Sequence, residues 1–251
     1  MLLMSCSIKE DRDGCPCWMT VEMPDRVGHD GSVVLRLRGN SDEDAVDYAY
    51  KVSESIKADV GILEYEVPRG SVGVSVVNSA RLAVPVGEQM DSLYGFSKMY
   101  HTRCESVKCD VELHKEFCTV SFTLVDEGYS SPYEIEVWGN VAGVSAWDLM
   151  PVKGDFRYAP VQKNGVYQVR VPRQEDNSLE LVMLEMPNPV EHDGEKVVVD
   201  RLPLGEYIAR SGYDWTAEDL ADVNIALDLE MHQVMITVSG WDGVVVMDIV
   251  I

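Results

Sequence analysis

The sequence alternates between apolar and polar residues with a period of two, and this pattern limits the possible folds more than any other feature. In the stretch DVNIALDLE, Val223, Ile225, Leu227 and Leu229 are apolar, and most of the residues between them are polar. Similar alternation marks about twelve to fourteen segments, mostly separated by turns such as VPRG, KNG and HDG. Successive side chains of a β-strand point to opposite faces, so alternation is typical of strands with one face in a core. The sequence therefore predicts an all-β protein built of antiparallel sheets.

Helical patterns are few. The stretch LGEYIARSG predicts one or two helical turns that end at Gly212, and TAEDL predicts a single capped turn that begins at Thr216. Residues 41–57 fit a helix capped by Ser41, but the same stretch also alternates as a strand does. We favour the strand, because the flanking segments are strand-like.

The number of strands predicts two domains. About fourteen strands are many for one sandwich and suit two sandwiches of about seven strands each. The segment GNVAGVSAWDLMPVKGDFRYAP is rich in turn residues and interrupts the alternation. We therefore predict a tether over residues 1–17, an N-terminal β-sandwich over residues 18–158 and a C-terminal β-sandwich over residues 159–251. A boundary near residue 130 would separate the strand FCTVSFTLV from its hairpin partner.

The charge balance excludes two classes of partner. The chain has 43 acidic and 21 basic residues, which gives a net charge of −22. Nucleic acids need basic residues to displace their counterions, so we predict no nucleic-acid partner. Docking on an anionic membrane through a basic patch is excluded for the same reason. No apolar run approaches the roughly 18 to 20 residues of a membrane-spanning helix.

Sequence motifs of catalysis are absent. The five histidines form neither HxxH nor HExxH, and the chain contains no G-x-S-x-G, P-loop or G-x-G-x-x-G motif. Acidic residues are so numerous that no single pair stands out as a catalytic acid and base. The sequence therefore predicts no catalytic residue, no cofactor and no enzyme.

The cysteine spacing predicts no metal site. Structural zinc sites use paired C-x₂₋₄-C knuckles, and Cys109 and Cys118 are too far apart to supply one. The loop RCESVKC is short enough for a disulfide between Cys104 and Cys109 in an oxidising compartment, with free thiols as the alternative. Cys118, within FCTVSF, is predicted to be a small buried apolar residue. Cys15 and Cys17 form a C-P-C to which we assign no role.

The N-terminal segment predicts a lipid anchor. The sequence LMSC, ending at Cys6, matches the end of a bacterial lipoprotein signal, in which the cysteine becomes the first mature residue and is acylated. One acyl chain holds a protein only marginally and two hold it stably, at about 0.8 kcal/mol per buried CH₂. Lys9, Glu10 and Asp11 follow, and they resemble the tag that directs lipoproteins of Bacteroidales-type bacteria to the cell surface. We therefore predict Cys6 as the lipid attachment site and Lys9, Glu10 and Asp11 as the export signal of an outer-membrane lipoprotein.

The last strand is apolar on both faces. A sandwich strand normally shows polar residues on the side that faces water. Either a neighbouring domain buries the second face of GVVVMDIVI, or the strand pairs with the sheet edge of an adjacent subunit. The residues predicted to make such a subunit contact are Val244, Val245, Val246, Met247, Ile249 and Ile251.

The order of motifs resembles a known family. The opening CSIKEDRDGCPCWMTVEM resembles that of the fimbrial anchor lipoproteins associated with fimbrillin-A, from the type V fimbriae of Bacteroidales. The likeness continues through YEVPRGSVGVSVVN, GEQMDSLYGF, ELHKEFCTVSFTL, GNVAGVSAWDLMPVKGDF, VYQVRVPRQEDNSLEL, LPLGEYIARSGYDWTAEDLADVNIALDL and VSGWDGVVVMDIVI. These segments fall in the family's order along almost the whole chain.

The resemblance implies a fold and a role. The fold would be two tandem transthyretin-like β-sandwich domains. The role would be non-enzymatic: a fimbrial anchor or minor fimbrial subunit, tethered to the outer membrane by lipid on Cys6, that holds the fimbrial shaft subunits. The alternative is a surface glycan-binding lipoprotein with an aromatic platform, for which the candidates are Trp138, Trp147, Trp215 and Trp241.

Overall fold

The strands and the helix follow the predicted alternation closely. The computed structural model describes residues 16–23, 32–40, 50–57, 61–125, 133–185, 196–228, 233–240 and 243–248. Within these ranges the chain forms seventeen β-strands and one α-helix. Their bounds are β1 Cys17–Glu22, β2 Ser32–Asn40, β3 Tyr50–Lys57, β4 Ile62–Val67, β5 Ser71–Val77, β6 Tyr94–His101, β7 Ser106–Asp110, β8 His114–Lys115, β9 Phe117–Val125, β10 Tyr133–Val144, β11 Pro151–Tyr158, β12 Tyr167–Pro172, β13 Glu180–Glu185, β14 Val197–Leu202, α1 Leu204–Arg210, β15 Val223–Asp228, β16 Gln233–Val238 and β17 Val245–Asp248.

Unit 1, the first of two compact units, comprises residues 1–76 and 96–112. One sheet has the strand order β4–β1–β7, in which β1 is antiparallel to β4 and parallel to β7. The other sheet contains β3, β2, β5 and β6 in that order. Buried apolar residues alternate with more exposed ones along β1, β2 and β5, so each sheet turns one face inward. The inward residues are Cys17, Met19, Val21, Val33, Leu35, Leu37, Val72, Val74 and Val76.

Unit 2 comprises residues 77–95 and 113–251. Its two larger sheets have the strand orders β11–β10–β13–β14 and β12–β9–β15–β16–β17. The core lies between them, because the alternate residues of both sheets are buried. Helix α1 contacts both β13 and β16, and β10 contacts β12. Fully buried members of this core include Phe122, Val137, Phe156, Val169, Leu181, Tyr207 and Ile236.

The predicted fold class, all-β with two tandem β-sandwich domains, is confirmed. The sheets are not purely antiparallel, however, because β1 pairs with β7 and β9 pairs with β15 in parallel. The predicted helix is present as α1 and is followed by Gly212 at a positive φ of 85°. Residues 216–220 form turns and bends instead of a capped helical turn. The strand that we favoured within 41–57 is present as β3, while residues 41–49 lie outside the described residues.

The strand pairing shows that the predicted domain boundary near residue 158 is wrong. Strand β9 pairs with β12 and β15, and β10 pairs with β13, so strands that precede residue 158 belong to the same sheets as strands that follow it. The predicted tether also ends earlier than residue 17, because Cys17 is buried as the first residue of β1. The N-terminal unit is therefore smaller than predicted, and the C-terminal unit is larger.

The turn-rich segment that suggested the boundary is in fact folded as β10 and β11. Two register shifts interrupt the pairing of these strands between Gly139 and Gly143. Gly143 has a φ of 156°, and a Cβ atom there would lie 2.1 Å from the carbonyl oxygen of Leu82. The backbone of residues 82–84 bonds to β10 at this point. Glycine is needed for this close approach of two backbones, which is why the composition resembles that of a loop.

Candidate functional site

The last strand forms one edge of a sheet in unit 2. Strand β17 pairs antiparallel with β16, and none of its described residues is buried. Val244, just before the strand, is 58% exposed, and Val246 is 56% exposed. Val245 and Met247 are half-buried, while Ile249 and Ile251 lie outside the described residues. Among the described residues, both apolar faces of this strand are therefore partly exposed to solvent.

A second valine-rich edge strand, β14, was not predicted. Val197, Val198 and Val199 are 40%, 37% and 48% exposed, although they are consecutive residues of one strand. Strand β14 pairs with β13 on one side and is last in the strand order of its sheet. The run VVVD carries the same two-sided apolarity as the C-terminal strand, and this signal could have revealed it.

The two edge strands lie on the same side of the unit 2 sandwich. Strand β10, near the start of its strand order, contacts β12, the first strand of the other sheet. Helix α1 contacts β13 and β16, which each lie next to the last strand of their sheet. The two strand orders therefore run in the same direction across the sandwich. Strands β14 and β17, which are last in their sheets, therefore end on one side. We call the exposed residues of this side the valine edge: Val197, Val198, Val199, Val244 and Val246.

Edge strands offer backbone donors and acceptors that another chain can pair with. Soluble proteins usually protect such edges with charges or proline. Apolar exposed side chains on an edge strand instead favour the addition of an extended segment, which gains both backbone hydrogen bonds and apolar burial. The valine edge is suited to bind a strand and offers no group for bond-breaking chemistry.

The predicted lipid and export residues lie outside the described residues. They are Cys6, Lys9, Glu10 and Asp11. In the described part of the chain, no helix has the length and apolar character needed to cross a membrane. The same described residues contain no cluster of three or more side chains suited to hold a metal ion.

The predicted disulfide between Cys104 and Cys109 is not formed, and both residues are free thiols. Cys109 is an inward residue of β7, where burial raises the pKa of its thiol and Tyr100 is its hydrogen-bond partner. Cys104 is exposed, with its sulfur 3.1 Å from the carbonyl oxygen of Ser106. The two side chains thus have separate surroundings, since alternation along β7 turns Cys109 inward.

Among the described residues, the Cys104 thiol interacts with that of Cys17 instead. The N–H of Trp18 bonds to the carbonyl oxygen of Glu105 at 2.9 Å, which makes their preceding residues, Cys17 and Cys104, neighbours. Burial, and then the Cys104 thiol, raise the pKa of Cys17 to about 11. Cys118 is fully buried as predicted, and burial raises its pKa to about 12.

The described tryptophans do not form an aromatic platform. Arg157 and Arg201 each stack on the ring of Trp138, at 4.4 and 4.8 Å from its centroid. Trp215 packs edge-on against Tyr213, and its indole nitrogen is buried. Trp147 is half-buried, and Trp241 lies outside the described residues. The ring of Trp138 and the edge of Trp215 are therefore already in contact with other side chains of the protein.

Comparison with known proteins identifies the fold. No protein-family model matches the chain, and no curated protein sequence matches it significantly. Among solved structures, a candidate polysaccharide-binding protein from Bacteroides thetaiotaomicron has a TM-score of 0.61 and 14% identity, over 93% of this chain and 98% of that one. The fimbrial anchor protein Mfa2 from Porphyromonas gingivalis has a TM-score of 0.59 and 11% identity, over 90% and 98%. A candidate adhesin from Bacteroides ovatus has a TM-score of 0.55 and 14% identity, over 92% and 95%.

These similarities extend over almost the whole length of each protein. The resemblance to fimbrial anchor proteins that the sequence predicted is therefore confirmed at the level of the fold. The chain has the two-unit β-sandwich architecture of these proteins.

Proposed function

We propose that the protein is a non-enzymatic fimbrial anchor or minor fimbrial subunit that binds shaft subunits through the valine edge. The observation that carries this proposal is the presence in unit 2 of two sheet-edge strands with exposed valines, Val197 to Val199 on β14, and Val244 just before and Val246 on β17. An exposed apolar edge of this kind is costly to leave uncovered in a protein that works alone. A shaft subunit that adds an extended strand to either sheet would cover it.

The fold supports the fimbrial role. A fimbrial anchor protein shares the architecture over 90% of this chain, and a candidate adhesin does so over 92%. Proteins that assemble or adhere through sheet edges need no catalytic group. The described residues hold no metal-ligand cluster of three or more groups.

The sequence supports a lipid tether. Cys6 follows a small residue and an apolar one, as the acylated cysteine of a lipoprotein does, and Lys9, Glu10 and Asp11 follow it as a surface-export tag. Acylation of Cys6 would place the protein on the outer membrane, at the cell surface. The anchor would then hold the fimbrium through two attachments, lipid at its N-terminus and strand pairing at unit 2.

The alternative of a glycan-binding lipoprotein with a tryptophan platform gains no support from the described tryptophans. Two arginines already stack on the ring of Trp138, and the packing of Trp215 buries its polar edge.

Charged substitutions on the valine edge test the assembly role. Val199→Lys on β14 and Val246→Lys on β17 place a charge on side chains that are already about half exposed, so folding is expected to remain intact. The protein is expressed with an export signal in a fimbriate cell and purified by affinity from the cell surface. We expect each variant to lose most of the shaft subunits that co-purify with the wild type.

The matched control is Val86→Lys, which makes the same change at a valine that is 59% exposed and lies outside the edge. It should retain the shaft subunits. If both edge variants are folded and still co-purify with the shaft, the valine edge is not the contact.

Acylation is tested separately with Cys6→Ser. We expect palmitate labelling and membrane association in the wild type and neither in the variant, because Ser cannot carry the thioether-linked lipid. Mass spectrometry that finds an unmodified Cys6 in the exported wild type would refute the lipid tether while leaving strand pairing open to its own test.

A further inference from the structure

A cleft of about 730 Å³ lies within unit 2. Strands β8, β9 and β12 form its floor, and the segment before β6 and the loop after β11 form its walls. A cavity of this size is in the range that holds small ligands. It lies apart from the valine edge, because β12 is the first strand of its sheet and β17 is the last.

The cleft contains the two basic residues of unit 2 that have no carboxylate partner among the described residues. The unit has ten lysines and arginines, and eight of them form ion pairs with carboxylates: Arg81, Lys115, Lys153, Arg157, Arg173, Lys196, Arg201 and Arg210. Lys163 and Arg170 are the two that have no described carboxylate partner, and both line the cleft. In a chain with a net charge of −22, the placement in one cavity of two cations without a partner among the described carboxylates indicates an anionic ligand.

The fold holds the Arg170 guanidinium and the backbone of Lys163 in place. The Arg170 side chain donates from Nε to the carbonyl oxygen of Met90 at 2.8 Å and from Nη1 to the Ser92 hydroxyl at 3.3 Å. These neutral partners orient the guanidinium without cancelling its charge. Lys163 begins a two-residue turn in which Asn164 and Gly165 both have positive φ, and its backbone bonds to Val166 in both directions.

The negative charge of the whole chain does not prevent anion binding here. Charges further than a Debye length, about 8 Å at physiological ionic strength, are largely screened. Within the cleft, Lys115 is paired with Asp222 at 2.5 Å, so that pair is close to neutral. Lys163 and Arg170 therefore set the local charge.

The rest of the lining fits a saccharide better than a peptide. Tyr94 and Tyr158 supply ring surfaces, and Gln89 and Gln168 supply amides. Flat rings and amides suit the C–H faces and the hydroxyls of a sugar. A peptide would bind most tightly by adding to a strand edge. The edge of β12 is already covered at Arg170, whose carbonyl oxygen accepts a hydrogen bond from the N–H of Met90 at 3.0 Å.

We propose that this cleft binds an acidic oligosaccharide, with carboxylates of the sugar chain at Lys163 and at Arg170. The site goes beyond fimbrial anchoring and does not depend on it, since neither the valine edge nor Cys6 takes part. It would give an anchor or minor subunit a means to hold uronic-acid-containing polysaccharide at the cell surface.

The test uses trigalacturonate as the probe and titration calorimetry of the full chain as the measurement. We expect saturable binding to the wild type that weakens with added salt. Lys163→Glu should weaken it by about tenfold or more, because a charge-assisted hydrogen bond is lost and a repulsive charge is gained. Lys163→Gln should give a smaller loss. Lys163 is exposed, so both variants are expected to fold.

The matched control is Lys153→Glu, which makes the same charge change on an exposed lysine of unit 2 outside the cleft. It should bind within about twofold of the wild type, because an exposed pair contributes little. The methyl ester of trigalacturonate tests the carboxylate, and it should bind at least tenfold more weakly, consistent with loss of the charged hydrogen bonds.

Four results would overturn the proposal. The first is the absence of saturable binding by trigalacturonate. The second is equal binding by Lys163→Glu and the wild type, and the third is equal affinity for the methyl ester. The fourth is preferential, Lys163-dependent binding of a polyglutamate peptide, which would assign the cleft to an acidic segment of a protein partner. None of these results bears on shaft capture, so the two proposals fail independently.

Discussion

The two units bury different kinds of side chain. In unit 1 the inward positions of β1, β2 and β5 are apolar, and the ion pairs that Lys108 makes with Glu22 and Asp110 are exposed. In unit 2 the ion pair between Glu116 and Arg173 is largely buried, with side-chain exposures of 9% and 14%. Exposed pairs contribute little to stability, whereas breaking a buried pair is costly. Among the described residues, only unit 2 therefore combines apolar packing with a largely buried ion pair.

The largest expected effect comes from Arg173→Ala. The change leaves Glu116 buried without its partner and removes the donor that bonds to the carbonyl oxygens of Trp215 and Ala217 at 2.6 and 2.8 Å. We expect the free energy of unfolding of unit 2 to fall by about 3–5 kcal/mol. Native-state hydrogen exchange of the β9 and β12 amides measures this loss.

The control for this prediction is Arg210→Ala, which removes an exposed pair with Glu206 on α1. It should cost no more than about 0.5 kcal/mol. If Arg173→Ala lowers the hydrogen-exchange protection of the β1, β2 and β5 amides as much as that of β9 and β12, the ion pair does not stabilise unit 2 specifically.

A cavity in unit 1 tests the other side of the comparison. Leu35 is fully buried on β2, so Leu35→Ala should destabilise unit 1 by about 2–5 kcal/mol. The loss should be seen in the exchange of the β2 and β5 amides. Val34→Ala, at the half-buried neighbouring position that faces the opposite way, should cost much less. An equal loss from the two variants would show that the alternation does not define the core face.

The sequence predicted the elements of both units well, because alternation reports directly which residues face a core. Val223 and Ile225 were both placed on one apolar face by their spacing, and both are buried. Alternation says nothing about which strands pair, and this is why the boundary near residue 158 was misplaced. Strand β9 pairs with β15, more than ninety residues further along the chain.

The candidate sites were predicted less completely than the fold. The apolar run at Val244 to Met247 identified one edge strand, but β14 was missed although VVVD carries a similar pattern. The cleft could not be found in the sequence. Its two unpaired cations, Lys163 and Arg170, stand out only when the carboxylate partners of the other eight basic residues are known.

Acid should weaken unit 2 through the carboxylates of the same network. The backbone N–H of Lys115 bonds to Asp219 at 2.7 Å and lowers the pKa of that carboxyl below its usual 3.8. Burial alone would raise the pKa of Asp222, but hydrogen bonds from Lys115 and Thr119 lower it overall. A carboxyl whose folded pKa is depressed stabilises the fold above its unfolded pKa. That contribution is lost as the pH falls through the folded pKa.

We therefore expect unit 2 to lose exchange protection as the pH falls below about 4, and Asp219→Asn to remove part of this pH dependence. Asp155→Asn, at an exposed position of β11, is the control and should leave the dependence unchanged. Loss of protection that is uniform over both units would show that the effect is general charge repulsion and not this network.

The smallest effect concerns the thiols, and it separates an exposed cysteine of unit 1 from buried cysteines of both units. The thiolate is the reactive form, so a raised pKa and burial both slow alkylation. Cys104 in unit 1 is exposed, whereas burial raises the pKa of Cys17 to about 11 and that of Cys118, in unit 2, to about 12. We expect iodoacetamide to modify Cys104 well before Cys17, Cys109 or Cys118, as measured by site-resolved mass spectrometry. The native protein is labelled without reductant and then again after reduction. If Cys104 and Cys109 become reactive together and only after reduction, the disulfide predicted from the sequence forms in solution, and the separate surroundings of the two thiols do not persist there.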